Sequence, residues 1–305
     1  MTTQRPFLGI TTATLAALCW GSATVMSKGA LDQVPPIALL VIQLASSLAF
    51  LWTLLLVRGV RTGAIRDAFR IAWLGLLEPG IAFVLALIGL AYTKAGIATL
   101  IASSEAPMIA ALSALLLRER LSARFFALSA IALAGLTLAS GIRDATSGGL
   151  LGDSLIVLGT LVAAVYVVLS SRVMVERDPV LVVACQQLVA GILALALLPI
   201  EIVQQHGVAL GHLPTSTWAL AVGSGIVQYA LAFAFYLAAM RSITASLAGT
   251  FLYLTPVVGL AGAVIFLDEK FTVLQLVGAA IVLGALLLLS WTSTVAAAGV
   301  VSQSG

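Results

Sequence analysis

Two carboxylates stand where a carboxylate is costly. Glu78 and Glu105 interrupt the apolar runs IAWLGLLEPGIAFVLALIGLAY and GIATLIASSEAPMIAALSALLL. A charged side chain at the centre of a bilayer costs about 2.5 kcal/mol or more, so such residues face a bundle interior or a wet cavity. Either could carry a proton, and either could pair with a substrate ammonium. Glu105 lies about midway along its run and is the better midplane candidate, while Glu78 sits shallower, roughly a third of the way in. At helical spacing, Thr99, Ser103, Ala106, Ala110 and Ser113 form a second face about 120° from Glu105. One of the two faces packs and the other addresses a cavity.

Aromatic residues recur on similar stripes. Trp20 shares one with Ala13, Ala17, Thr24 and Ser27, and Tyr166 shares one with Gly159, Ala163 and Ser170. Tyr92 falls on the stripe of Glu78, Ala82, Leu85 and Gly89, and Tyr229, Phe233 and Tyr236 make an aromatic stripe with Gln228 beside it. Aromatic walls with a few polar groups suit a solute with an apolar side chain and an amino or carboxyl group. The same small and aromatic residues also suit close helix packing, so both readings stand. Tyr253 and Thr255 precede Pro256, and Pro107 follows Glu105. A proline lacks the backbone donor that its helix needs, so Pro107 and Pro256 are expected to act as kinks or hinges that expose polar backbone.

These residues sit in a chain that is 61% hydrophobic and 9% charged. That is far from the roughly 25% charge of a soluble domain, and no water-soluble fold of this size could solvate such a surface. The fold expected is an all-α polytopic membrane protein. Cys19 and Cys185 lie in apolar runs and imply no disulfide framework or metal site, and His206 and His212 share a loop without a carboxylate cluster. No cofactor is implied. A membrane enzyme would need a Ser/His/Asp set or a cluster of acids and bases at one membrane face, and the sequence offers neither.

A spanning helix needs about 20 apolar residues. Ten segments qualify, at about 8–26, 37–57, 71–91, 96–117, 125–141, 153–173, 180–200, 218–239, 246–267 and 272–291. With the N-terminus cytoplasmic, eleven of the fifteen Lys and Arg residues fall on the inner side, and only Lys28, Lys94, Arg143 and Lys270 fall outside. The positive-inside rule therefore places both termini in the cytoplasm. The net charge of +3 reflects this orientation and not nucleic-acid binding. Residues 292–305 are expected to form a disordered tail.

The chain also repeats itself. Lys94 to Gly135 aligns with Arg241 to Gly284, pairing Lys94 with Arg241, Pro107 with Pro256, Glu119 with Glu269 and Gly135 with Gly284. Ten helices divide into two sets of five, and an odd number per set inverts one half relative to the other, an architecture that recurs in secondary transporters. Glu119 and Glu269 are expected as solvated loop charges, with a gate or a loop-capping pair as the alternative.

The duplicated order of Pro, apolar run, Glu, short polar link and Gly-ended helix resembles the drug/metabolite transporter superfamily. Within it the chain is similar to the ten-helix branch with two EamA-type domains, here 8–141 and 153–291. The resemblance implies a secondary transporter working by alternating access from the bacterial inner membrane. It is often an exporter of amino acids, and the likeness is greatest to the aromatic amino acid exporters. Its partners would be a small-molecule substrate and the bilayer. Efflux of hydrophobic drugs or cations is the alternative. The substrate site expected comprises Trp20, Glu78, Tyr92, Ser103, Glu105, Tyr166, Gln228, Tyr229, Phe233 and Tyr253.

Overall fold

A computed structural model describes residues 6–59, 62–105, 107–109, 111–112, 123–140, 149–171, 178–204, 212–242, 251–252, 254–285 and 287–288. Tyr253, Glu119 and the 292–305 segment lie outside the described residues. Every regular element among the described residues is a helix. In hydrocarbon each backbone N–H and C=O must be bonded internally, and a helix does this within one segment.

The first half contains α1 (Pro6–Leu31), α2 (Pro36–Arg58), α3 (Thr62–Phe69), α4 (Ala72–Tyr92), α5 (Ala95–Ala102) and α6 (Ala123–Ser140). The second half contains α7 (Gly149–Ser171), α8 (Pro179–Gln204), α9 (Thr215–Ala239), α10 (Leu254–Leu267) and α11 (Val273–Ala285). Of these α1, α2, α4, α7, α8 and α9 are long and apolar enough to cross a membrane, and shorter apolar helices start at Ala95, Phe126, Leu254 and Val273. The short α3 is amphipathic, with Ala68 buried and Arg66 and Asp67 exposed.

Local chemistry sets several boundaries. Pro35 and Pro36 open α2, and Gly59 closes it in the left-handed conformation (φ 63°), its N–H donating to Leu56 O at 3.1 Å. Two of the shorter apolar helices, α5 and α10, owe their length to proline. After Ala102 the chain turns at Ser103 and Ser104 before Pro107. In the second half α10 starts only two residues before Pro256. Pro256 has no N–H for Leu252 O, which instead accepts from Thr255 N at 2.9 Å in a tighter turn. Both prolines therefore follow a turn, at Ser103–Ser104 and at Leu252.

The helices pack in pairs that mirror one another. Helix α4 lies along α7 as α9 lies along α1, while α2 pairs with α8 and α5 with α10. Glycine makes the closest approaches possible. A Cβ on Gly75 of α4 would lie 2.0 Å from Gln186 O of α8, and one on Gly225 of α9 would lie 2.4 Å from Gln43 O of α2. The same kind of contact therefore recurs in the two halves, a glycine of a broken helix seated on a glutamine backbone.

Two carboxylates cap helices across the bundle. Glu201, near the end of α8, accepts from Ile37 N at 2.9 Å and from Ala38 N at 2.8 Å, satisfying the open donors of α2. Glu269 accepts from Ala95 N at 2.7 Å and from Gly96 N at 3.3 Å at the start of α5. It is half-buried and acts as a cap, not as a solvated loop charge. Beside it Lys94 donates to Lys270 O and lies 4.8 Å from the centre of the Phe271 ring. At the same end Lys28 donates to Leu90 O at 2.8 Å, and Thr93 donates to Asp153 Oδ1 at 2.5 Å. Substituting Glu269 by Ala removes both cap bonds of α5 and is expected to cost about 1–2 kcal/mol. A thermal melt in detergent should show a lowered midpoint, and an unchanged midpoint would contradict the cap.

Candidate functional site

The two longest broken helices meet at the centre of the bundle. Helix α4 runs as a tight turn over Ala72–Leu76 and then loses helical geometry at Glu78 (φ −142°, ψ 127°) before resuming at Ala82. Pro79 explains the break, because the residue before a proline is pushed out of the helical region. Helix α9 widens instead into a π-turn over Ile226–Ala232, and Gln187 of α8 donates to Tyr229 O within it at 2.6 Å. Single π-turns inside α-helices are frequent at functional sites, because they displace side chains and backbone from the regular ladder.

Between these breaks lies a cavity of ≈ 160 Å³. An apolar cavity of about 150 Å³ is enough to hold a benzene ring. Helix α1 contributes Trp20, Thr24 and Ser27; α4 contributes Glu78, Phe83 and Ala86. The α5 segment adds Ser103 and Glu105, α7 adds Gly159, Thr160 and Tyr166, and α9 adds Gln228, Phe233 and Tyr236. Thr255 of α10 completes the lining from the second half.

The aromatic rings form a cluster with fixed geometry. The Trp20 ring centre is 5.3 Å from Phe233 at 81° and 5.3 Å from Tyr236 at 66°, both edge-to-face. Phe83 crosses Tyr229 at 4.8 Å and 61°. Most hydroxyls on the wall are already bonded to their own helices: Thr24 to Trp20 O at 2.9 Å, Thr160 to Ile156 O at 2.8 Å and Ser103 to Leu100 O at 2.6 Å. The Tyr166 hydroxyl donates to Gln186 Oε1 at 2.8 Å. Gln228 Oε1 is buried without a hydrogen-bond partner among the described residues. The polar groups left to meet a solute are thus the two carboxylates, the Gln228 amide and the Ser170 hydroxyl, beside the ring faces.

Seven of the ten expected residues line this one cavity: Trp20, Glu78, Ser103, Glu105, Tyr166, Gln228 and Phe233. Tyr92 does not, being 53% exposed at the far end of α4. The expected stripe from Glu78 to Tyr92 assumed a continuous helix, and the break at Glu78–Pro79 removes that shared face. Tyr229 is fully buried, stacked on Phe233 at 6.5 Å and 7°, and supports the wall without lining it. Tyr253 is outside the described residues. Sequence reasoning missed Phe83, whose only signal was a lone aromatic five residues beyond Glu78, and Gln186, hidden in the apolar run of α8.

A cavity walled by two sets of broken membrane helices defines a polytopic membrane protein built to admit a small solute. The chain belongs to the EamA-like transporter family, whose pattern it matches twice, over residues 7–141 and 150–291. It is accordingly a multi-pass membrane transporter with a small-molecule substrate, in a family of transporters and not of enzymes. No curated protein is similar enough in sequence to count as a relative. A solved chain, described only as the crystal structure of a protein, is similar in fold. It superposes with a TM-score of 0.70 at 22% identity, covering 92% of this chain and 97% of its own length.

Proposed function

We propose that the protein exports small amphipathic metabolites from the bacterial cytoplasm by alternating access through this cavity, with amino acids, aromatic ones favoured, as first substrates. The observation that carries the reading is that one cavity draws its lining from both halves of the chain. A solute held there contacts both repeats, so rocking one against the other moves its access from one side to the other. In this reading the six long and four shorter apolar helices make ten spans, arranged as two inverted five-helix repeats over 8–141 and 153–291. The mirrored pairing of α4 with α7 and α9 with α1 supports the inversion. Both termini face the cytoplasm of an inner membrane, as the excess of inner Lys and Arg supports. The contacts of Lys28, Thr93, Lys94 and Glu269 then close the outer face. Efflux of hydrophobic cations is the second reading, favoured by the two acids on the cavity wall.

Single cysteines at Leu90 and Met240, which line opposite ends of the cavity, test the reading in a protein freed of Cys19 and Cys185. Labelled in vesicles with an impermeant maleimide, the two positions should respond oppositely when phenylalanine or another solute is added. Simultaneous labelling regardless of solute would indicate an open pore, and no response to any solute would remove the transport reading.

A further inference from the structure

We propose that the cavity recognises its solute as a ring-bearing amine, gripping the protonated amino group and leaving a carboxylate disfavoured. The inference rests on the transport reading and narrows its substrate class. Three acceptor side chains from three elements open onto one space: Glu78 from the break in α4, Glu105 after the turn that ends α5, and Gln228 from the π-turn of α9. Glu78 is 7% exposed and Gln228 6%, so both are held out of bulk solvent. The Gln228 Oε1 has no hydrogen-bond partner among the described residues. A buried polar atom left unpaired is costly, and a solute donor removes that cost.

An ammonium presents three donors and no acceptor, which matches two carboxylates and an amide oxygen. Charge-assisted bonds of this kind are roughly twice as strong as neutral ones. The rings of Trp20, Phe233 and Tyr236 stand on the same cavity, where they can receive an aromatic body and attract the cation through their faces. A substrate carboxylate gains no such pairing. Among the described lining residues none is Lys, Arg or His, and both charged ones are acids. The expected preference therefore runs from amine to zwitterionic amino acid to acid, with the ring kept constant.

The test is calorimetric titration of the purified full chain with four ligands that share a phenylethyl or closely related body. These are 2-phenylethylamine, phenylalanine, 3-phenylpropionate and 2-phenylethanol. The amine should bind at least tenfold more tightly than phenylalanine, and the acid should show no binding. Glu78→Gln should weaken the amine at least tenfold and weaken 2-phenylethanol by a much smaller factor. The wild-type series stands by itself should the variant fail to fold. Acid or amino acid binding as tightly as the amine would overturn the proposal. So would an amine no tighter than the alcohol, or no binding by any of the four. The cysteine-labelling experiment keeps the two readings separable: opposite responses to 3-phenylpropionate but not to the amine would preserve transport and overturn amine recognition.

Discussion

Replacing Ala163 by Trp is expected to stop solute movement while leaving the protein folded. Ala163 lines the cavity from α7, on the same face as Gly159 and Tyr166. An indole at this position projects into a space of ≈ 160 Å³ and takes up most of the room a ring-sized solute would use. Overpacking a filled core usually costs about 1–3 kcal/mol, but here the added ring enters a void and strains little. Transport should fall on the order of a hundredfold, equivalent to a little under 3 kcal/mol. Uptake by the variant in liposomes, with a monodisperse size-exclusion profile as the control for folding, measures the effect. Undiminished uptake would mean that the solute passes elsewhere.

Gly75→Ala is expected to have the largest effect on folding. A methyl group on Gly75 would lie 2.0 Å from the Gln186 carbonyl oxygen and 2.5 Å from its carbon. Both are backbone atoms, so relief requires α4 and α8 to separate along their whole contact, not a side chain to swing aside. The expected cost is about 3 kcal/mol or more, at the upper end for overpacking. Little folded protein should be recovered from membranes. Gly284→Ala, which meets nothing within 4 Å among the described residues, should be recovered at the wild-type level. Equal recovery of the two variants would contradict the packing described for α4.

Much of this was legible from residue types. The apolar runs, the recurrence of the Lys94 segment at Arg241, and the buried acids are all local or periodic signals. They pointed to membrane helices, a duplicated chain and the cavity wall. The interruption of α4 was readable only in part. Pro79 marks it, but the stripe from Glu78 to Tyr92 is regular enough to pass for one helical face, and only the observed break shows that Tyr92 points elsewhere. The π-turn of α9 has no proline or glycine inside it to announce it. It is stabilised by Gln187, an amide 42 residues away in sequence. Nor could spacing show that Glu269 reaches the start of α5, because the separation from Ala95 is 174 residues. Contacts of that kind follow from how the halves meet, which no local pattern encodes.

Movement of a small solute through the cavity between the repeats can be measured by counterflow in proteoliposomes. Vesicles loaded with unlabelled phenylalanine or 2-phenylethylamine are diluted into a trace of the labelled compound. A transient accumulation of label is expected for at least one of the two, absent from protein-free vesicles and abolished in Ala163→Trp. No accumulation of either compound, or accumulation that persists in Ala163→Trp, would contradict such movement.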